Sequence, residues 1–256
     1  MRRIAFVNEK GGSCKTTLSV NVAAWLARRG KRVLLLDLDP QGQAGKSLGL
    51  YVRDMAPNVF HLMMDPACEL GQVIRPTPVA NLEVVVSNKA LADFPVEAAA
   101  LPDRERRLEQ KLAGLGGYDY LIFDSPPSLG LLTVNVMLAA REIVVPVNLT
   151  YFALDGCAEI VETVDRIRQR FGKSDLEIVL VVPTLYRATK LADEIIEKLR
   201  AHFPGRTART VIGYNVKIDE AQSHGKTIWE YAGWSRGAQM IEALAREIER
   251  LPGGRA

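Results

Sequence analysis

Short runs of Val, Ile and Leu recur along the chain, each followed by turn residues or by a helical pattern. The runs are dense rather than alternating, which is typical of strands that are covered on both faces of a sheet. On this basis seven segments are predicted to be strands: Ile4–Val7, Arg32–Asp37, Asn81–Ser87, Tyr120–Asp124, Glu142–Val147, Leu176–Pro183 and Thr210–Ile212.

Between these runs, apolar residues recur at helical spacing. In the first such segment Leu18, Val22, Trp25 and Leu26 share one face, and Gly30 is placed to end the helix. Helices are predicted at Thr16–Arg29, Leu129–Ala140, Leu154–Phe171, Leu191–Phe203 and Ala238–Leu251. Strands that alternate with helices pair in parallel through right-handed crossovers. The pattern therefore predicts an α/β fold with a doubly wound, mostly parallel sheet flanked by helices.

The composition narrows the class of protein. The chain has 256 residues, of which 48% are hydrophobic and 25% charged, so it can bury a core and is not a wholly disordered protein. We predict one domain over residues 1–256. No apolar stretch approaches the roughly 18–20 residues of a membrane span. The three cysteines (Cys14, Cys68 and Cys157) form no CxxC pair, which argues against a disulfide scaffold or a structural zinc site and favours the cytoplasm.

Residues 43–102 are less regular than the rest, with short helical pieces and six prolines. One interpretation is a long, decorated crossover between two strands, which is common in large sheets. The other is a mobile insertion that faces a partner or a substrate.

The strongest chemical signal is the segment NEKGGSCKTT at residues 8–17, directly after a strand and at the start of a helix. Glycines let the main chain approach an anion, and the helix N-terminus supplies partial positive charge. We expect Lys15 to contact the β- and γ-phosphates, Thr16 to ligate Mg²⁺ and Thr17 to bind the α-phosphate. The alternative is an ordinary strand-to-helix turn with surface lysines. The predicted nucleotide contacts within this segment are Gly11, Gly12, Ser13, Cys14, Lys15, Thr16 and Thr17.

The segment departs from the strict G-x-x-x-x-G-K-[ST] pattern, because Glu9 and Cys14 occupy both glycine positions. Lys10 stands just before the glycine pair, and this arrangement resembles the deviant Walker A loop of the ParA/MinD ATPases. The resemblance implies a P-loop NTPase fold of the SIMIBI type, with ATP and Mg²⁺ as cofactors. It also implies that Lys10 reaches across a dimer interface to the nucleotide held by the other subunit.

Two further segments extend the resemblance. LLLDLDPQG at residues 34–42 looks like the second strand and switch I of that family, and YDYLIFDSPPSLG at residues 118–130 looks like its Walker B strand and switch II. Carboxylates at the carboxyl ends of strands lie in the crevice where open α/β sheets bind ligands. We expect Asp124 to hold Mg²⁺ through water and Asp39 to orient the attacking water or the metal shell. The alternative for each is a strand-ending carboxylate that accepts backbone amides.

The resemblance assigns roles to these residues and extends to residues 212–226, which are similar to the ParA-type segment that runs from the adenine pocket to the surface. The predicted catalytic residues are Lys10, Lys15 and Asp39. The predicted metal site consists of Thr16, Asp39 and Asp124. Asn215 is a predicted nucleotide contact.

Cys14 replaces the glycine that normally precedes the P-loop lysine. If its φ is positive, the Cβ costs roughly 1–2 kcal/mol. At a helix N-terminus beside Lys15, its thiol is expected to have a lowered pKa, to react with alkylating agents and to be protected by nucleotide.

Basic charge is concentrated in residues 186–217, which hold seven Lys or Arg and three acids, whereas the whole chain has a net charge of +3. Relatives use arginines here for non-specific DNA binding, but Gly213, Tyr214 and Lys217 replace the usual Pro-Arg and a second arginine. The predicted DNA contacts are Lys190, Arg206, Arg209 and Lys217. A solvated helix face with ordinary lysines is the alternative.

The resemblance thus implies a ParA-like ATPase that forms an ATP-sandwich dimer and binds DNA without sequence preference. A ParB-like partner would stimulate hydrolysis and release it from the nucleoid during chromosome or plasmid segregation. The C-terminal helix has mixed charge, unlike the basic membrane tail of MinD, so no membrane partner is expected. Three other functions stay open: positioning of a protein cargo, a hydrolysis-impaired regulatory adaptor, and a synthetase that uses ATP to activate a carboxylate.

Overall fold

The structure, a computed structural model, describes residues 1–252 and contains one seven-stranded sheet in the order β3-β4-β2-β5-β1-β6-β7. All neighbouring pairs are parallel except β3 with β4 at one edge. The strands are β1 (Arg2–Phe6), β2 (Val33–Asp37), β3 (Ile74–Pro76), β4 (Leu82–Val85), β5 (Tyr120–Asp124), β6 (Glu142–Asn148) and β7 (Glu177–Thr184).

The helices lie on both faces of this sheet, and several of them are only one or two turns long. They are α1 (Lys15–Arg28), α2 (Gln43–Ser47), α3 (Val59–Met64), α4 (Leu70–Val73), α5 (Phe94–Glu97), α6 (Arg107–Lys111), α7 (Leu131–Ala139), α8 (Ala153–Phe171), α9 (Lys190–His202), α10 (Val216–Ser223), α11 (Ile228–Ala232) and α12 (Arg236–Arg250). A 3-10 turn covers Lys89–Asp93.

Successive strand residues pack into two separate hydrophobic layers, because side chains alternate across a strand. Leu34 and Phe123 pack in the layer that includes α7 and α8. Leu35 and Ile122 pack in the opposite layer, with α1 and α12. The central strands are therefore buried on both faces, which explains their continuous apolar sequences and confirms the predicted mostly parallel α/β fold.

Six of the seven predicted strands are present, with ends that differ by no more than two residues from the prediction. The five predicted helices are also present within two residues, and Gly30 follows α1 with φ 81°, as expected of a residue that ends a helix.

The prediction of a strand at Thr210–Ile212 is wrong. The segment runs beside β7 and makes scattered hydrogen bonds, among them Ala208 N to Val181 O at 2.8 Å and Ile212 N to Pro183 O at 2.9 Å. Its pairing with neighbouring residues consists of isolated bridges, so no continuous ladder forms.

The irregular residues 43–102 are folded onto the sheet. They contribute the antiparallel edge pair β3–β4 and short helices, and Leu62, Met63 and Phe94 are fully buried in the core. The structure therefore favours the decorated crossover over a mobile insertion. No helix among residues 1–252 is both long enough and apolar enough to cross a membrane.

Candidate nucleotide-binding site

The predicted phosphate loop joins β1 to α1 at the edge where the parallel strands end. Asn8 anchors its start, because its Nδ2 donates to the Pro146 carbonyl of β6 at 2.6 Å and its Oδ1 accepts from the Lys10 amide at 2.9 Å. At the end of β7, the hydroxyl of Thr184 donates to the Ser13 carbonyl at 3.2 Å. The loop is thereby tied to two strands of the sheet.

The loop folds around the carbonyl oxygen of Lys10 and leaves its outer side open. Lys15 Nζ and Ser13 Oγ both donate to that oxygen, at 3.1 and 3.2 Å. Gly12 has φ 69°, and a Cβ placed on Gly11 or Gly12 would meet no atom within 4 Å. An anion can therefore approach the backbone amides of the loop at the N-terminus of α1.

Cys14 also adopts the left-handed conformation, with φ 71°, directly before the first residue of α1. The backbone thus retains the geometry that a glycine would adopt, and the Cβ costs roughly 1–2 kcal/mol. The expectation of a lowered thiol pKa is wrong, because burial raises the pKa of Cys14 to about 11. Desolvation of the thiolate outweighs the attraction of the nearby Lys15 ammonium.

Alkylation provides a direct test of the raised pKa of the half-buried Cys14 thiol. With a pKa near 11, Cys14 is largely protonated at pH 8, so we expect iodoacetamide to label it at least tenfold more slowly than a small free thiol of pKa about 8.5. Peptide mass spectrometry of the native chain measures the rate, and the same chain in denaturant is the control. Native labelling as fast as in denaturant would contradict the burial argument.

Above the loop lies a cavity of about 750 Å³. Its wall contains most of the residues that the sequence indicated, namely Gly11, Gly12, Ser13, Cys14, Lys15, Thr16, Thr17 and Asp39. Burial lowers the pKa of Lys15, whose side chain is 6% exposed, so its ammonium is held in a site with little water. The cavity therefore combines a buried cation, the loop amides and a carboxylate.

Asp124 lies at the end of β5, completely buried beneath the cavity. Neither oxygen of its carboxylate has a hydrogen-bond partner among the described residues. Burial raises the pKa of this carboxyl to about 7, although the nearby hydroxyls of Thr16 and Ser19 and the Lys15 ammonium act in the opposite direction. An ionised carboxylate without a partner is costly in such a place, so the site is suited to a cation that arrives with a ligand.

This donor set fits Mg²⁺, which prefers oxygen ligands and is commonly held by one or two carboxylates together with substrate phosphates. Thr16 lines the cavity, and Asp39, 8% exposed, contributes a second carboxylate. Residues 1–252 contain no cluster of three or more His, Cys, Asp or Glu side chains that could hold a metal alone. A metal here would therefore depend on the phosphates of the nucleotide.

Sequence reasoning missed Asp37, which precedes switch I (residues 38–42). Asp37 is fully buried and lies opposite Asp124 in the β2–β5 register. Its carboxylate accepts from the amides of Asp39 and Ala44, both at 3.0 Å. Burial, together with the charge of Asp124, raises its pKa well above the usual range. Asp37 is thus a positioning residue that holds both ends of switch I.

Asp39 partly fits the alternative interpretation, a strand-ending carboxylate that accepts backbone amides, since its Oδ1 accepts from the amide of Gln41 at 2.9 Å. Its carboxylate nevertheless borders the cavity, as does Gln41. The carboxylate of Asp124, by contrast, accepts no backbone amide among the described residues.

The far wall of the cavity includes two residues that the sequence did not single out, Asp219 and Gln222 of α10. Gln222 Nε2 donates to Thr17 Oγ1 at 3.0 Å and so links α10 to the phosphate loop. Asn215 does not line the cavity. Its side chain caps α10 by accepting from the amide of Lys217 at 3.0 Å, so its contact with nucleotide stays a prediction. Asp219 and Gln222 are three residues apart in a helix and therefore lie on the same face of α10, which the sequence alone could have indicated.

Lys10 points away from the cavity, towards the start of α8. Its Nζ donates to the Phe152 carbonyl at 2.6 Å and lies 5.4 Å from the centre of the Phe152 ring. Gly156 of α8 lies beside this side chain, and a Cβ there would be in ordinary van der Waals contact with Nζ, at 3.9 Å. The role of Lys10 in the pocket of a second subunit stays a prediction.

The four predicted DNA-contacting cations do not share one edge of the molecule. Lys190 begins α9 near the cavity, whereas Arg206 pairs with Glu177 at the start of β7, at 2.7 Å. Since α9 alone spans about 18 Å, these two cations lie near opposite ends of the sheet. Lys217 is paired with Glu220 at 2.7 Å. The fourth cation, Arg209, is exposed.

Comparison with known proteins identifies the family. The AAA_31 family model, an AAA domain, matches residues 1–178. The sporulation initiation inhibitor protein Soj of Bacillus subtilis is 42% identical over 247 residues, which cover 96% of this chain and 97% of that protein. The chain belongs to the ParA/Soj family of ATPases.

Other relatives agree with this membership. The chromosome-partitioning ATPase Soj of Treponema pallidum is 39% identical over 256 residues, covering 99% of both chains. Among solved structures, cobyrinic acid a,c-diamide synthase of Mycobacterium smegmatis with bound ADP and magnesium has a TM-score of 0.84 and 28% identity. That match covers 97% of this ParA/Soj-family chain and 94% of the synthase.

Proposed function

We propose that the chain is a chromosome-partitioning ATPase that binds ATP with Mg²⁺ in the cavity above residues 8–17. The observation that carries the proposal is the buried carboxylate of Asp124, without a partner among the described residues, beneath a loop that presents Lys15 and Thr16. Family membership and the name of the chromosome-partitioning ATPase Soj of Treponema pallidum support partitioning as the process.

Each residue of the site has a defined role in this proposal. The loop amides and the Lys15 ammonium would bind the phosphates, and Thr16 and Asp124 are the residues that would hold Mg²⁺. When bound, the metal neutralises charge on the phosphate oxygens. Asp39 accepts a hydrogen bond from the attacking water and orients it. Asp37 keeps Asp39 in place through the backbone of switch I.

We also propose that two ATP-bound subunits form a dimer in which Lys10 leaves Phe152 and reaches the partner's nucleotide. Residues 1–256 would act as one ATPase domain in each subunit. The exposed side chain of Phe152 lies beside Lys10 and packs edge-on against the exposed ring of Tyr151, and both would be covered in this dimer. Exchange of the Phe152 carbonyl for a phosphate oxygen is favourable, because a hydrogen bond between charged groups is stronger.

The dimer is proposed to bind DNA without sequence preference, with Lys190, Arg206, Arg209 and Lys217 as candidate contacts, and so to associate with the nucleoid. A ParB-like partner would stimulate hydrolysis and release the subunits. The likeness to cobyrinic acid a,c-diamide synthase supports one competing function, an ATP-dependent synthetase with a small carboxylate substrate.

Measurement of DNA binding with ATP, with ADP and without nucleotide distinguishes the partitioning ATPase from the synthetase. For the partitioning ATPase we expect DNA binding only with ATP. A plot of the logarithm of DNA affinity against the logarithm of salt concentration should fall with a slope of about 0.9 for each phosphate contact. Titration of a fluorescent 60-base-pair duplex at several salt concentrations measures both, and light scattering on the same samples reports the dimer. Equal binding in all three nucleotide states, or none with ATP, would contradict the proposal, and the second result would favour the synthetase.

A further inference from the structure

Gln222 connects α10, on the far wall of the nucleotide cavity, to the first turn of α1. Its Nε2 donates to Thr17 Oγ1 at 3.0 Å, although the two residues are 205 positions apart in the chain. Both side chains belong to residues that line the cavity. None of the roles proposed above for the site involves this contact.

The hydrogen bond from Gln222 restricts where the hydroxyl hydrogen of Thr17 can point. A threonine hydroxyl has one hydrogen to donate and two lone pairs that accept. Because Oγ1 accepts from Gln222, this hydrogen is free to be donated elsewhere, and no acceptor for it is found among residues 1–252. The carbonyl four residues earlier, which threonines in helices often use, belongs to Ser13 and already accepts from Thr184. The hydrogen is therefore left for a ligand in the cavity.

The backbone of Thr17 is held as well as its side chain. Its carbonyl accepts from Asn21 Nδ2 at 2.8 Å, and Asn21 Oδ1 in turn accepts from the amide of Ile228 at 2.8 Å. The carbonyl of Asn21 accepts from the indole of Trp229 at 3.3 Å. Thr17 is thus connected to α11 through its backbone and to α10 through its hydroxyl, which leaves the hydroxyl little freedom to turn.

The helix that carries Gln222 is itself packed firmly. Ala221, the preceding residue, is 1% exposed. Beyond the end of α10, a Cβ on Gly225 would lie 2.9 Å from the Cα of Gly49, so this end of the helix is in close contact with the chain that follows α2. The amide of Gln222 therefore meets Thr17 from a fixed direction, and a preorganised contact of this kind lowers the cost of ordering the site when a ligand binds.

We propose that Gln222 is a positioning residue for nucleotide binding, which holds the hydroxyl of Thr17 so that its hydrogen is donated to the α-phosphate. The inference rests on the proposed function and on the predicted contact between Thr17 and the α-phosphate. Gln222 acts through Thr17 and does not itself contact the phosphate. Since ATP and ADP share the α-phosphate, its effect on affinity is the same for both nucleotides.

Two variants of similar size at Gln222 test the direction of this hydrogen bond. Gln222→Met has no donor, so Thr17 loses its orientation, and the affinity for ADP and for ATP is expected to fall about two- to tenfold, as for the loss of one hydrogen bond. Gln222→Glu, when ionised, can only accept, so it takes the hydrogen of Thr17 for itself and also repels the phosphates. Its loss of affinity is expected to be the larger one, at more than tenfold.

A double-mutant cycle with Thr17→Val separates positioning from direct contact with the nucleotide. The valine keeps the branched shape and lacks the hydroxyl, so in that background Gln222→Met is expected to lower the affinity by less than a further twofold. The same two changes at Gln43, another glutamine that lines the cavity, control for lost polarity and added charge, and each is expected to cost less than its counterpart at Gln222. Calorimetric titration of the full-length chain with Mg·ADP and with Mg·ATP measures the affinities, and thermal unfolding verifies the fold.

Three results would overturn the inference. They are equal losses at Gln43 and Gln222, a loss confined to ATP, and a Gln222→Met effect that persists in full in the Thr17→Val background. Wild-type affinity in the Gln222→Glu variant would also overturn it, because Thr17 would then donate to residue 222 rather than to the nucleotide. All of these leave the proposed function standing if the wild type binds both nucleotides, whereas a wild-type chain that binds neither would overturn the proposed function too.

Discussion

Replacement of Lys15 with alanine is expected to weaken ATP binding by more than a hundredfold while the chain stays folded. The ammonium of Lys15 sits in a site with little water, 6% exposed, at the N-terminus of α1. A hydrogen bond between charged groups in such surroundings contributes about 1.5–3 kcal/mol, and Lys15 is placed to make more than one to the phosphates. Each 1.4 kcal/mol corresponds to a tenfold change in affinity.

The fold should tolerate this change for two reasons. Burial lowers the pKa of Lys15, so its charge is a cost to the protein without ligand. The Lys10 carbonyl, which accepts from Lys15, keeps its second donor, Ser13 Oγ. Calorimetric titration with Mg·ATP measures the affinity, and Lys198→Ala, an exposed lysine on α9, is the control. Unchanged heat of binding in the Lys15→Ala variant would remove the phosphate loop as the nucleotide site.

Hydrophobic pattern predicted the sheet well, because the central strands are buried on both faces and have continuous apolar sequences. Tyr120–Asp124 was predicted with its observed bounds. The same signal was misleading at Thr210–Ile212, where Ile212 is buried but the backbone makes only scattered bonds to β7. Burial is visible in a sequence, whereas a ladder depends on a partner that the local sequence does not specify.

The short helices of residues 43–102 could not be predicted for a related reason. Segments of four to six residues, such as α4 and α5, carry too little periodicity to stand out. They are stable because their apolar residues pack on the sheet, and Phe94 of α5 is completely buried.

Local motifs indicated the loop between β1 and α1 that borders the cavity, but burial and partners decided the chemistry of individual side chains. Cys14 was expected to have a lowered pKa on account of Lys15 and the helix terminus, and desolvation raises it instead. Arg206 and Lys217 contribute to a basic segment in sequence, but each has an acidic partner in space. Asp37 was passed over, since nothing in the sequence distinguishes a positioning carboxylate from a strand-ending one.

Replacement of Asp124 with asparagine is expected to act in opposite directions on stability and on metal binding. The carboxyl of Asp124 has a pKa of about 7, well above the ordinary value of about 3.9. Between these values the folded chain holds a proton that the unfolded chain has released, so the stability of the metal-free protein falls as the pH rises from about 4 to 7. The variant removes this group, and at pH 8 it should be more stable than the wild type by about 1–3 kcal/mol.

With Mg²⁺ bound we expect the wild type to be the more stable of the two, because the metal supplies the partner that the ionised carboxylate lacks within the described residues. We expect Mg²⁺ with ADP to stabilise the wild type more at pH 8 than at pH 6, since the metal competes with the proton. In the Asp124→Asn variant the affinity for Mg²⁺ should fall by roughly 10- to 100-fold, and the pH dependence should largely disappear. Denaturant unfolding at both pH values, with Asp219→Asn as a control on the cavity wall, separates the two effects. A less stable metal-free variant at pH 8 would show that the carboxylate has a partner already, and the argument for a metal beneath the phosphate loop would then lose its basis.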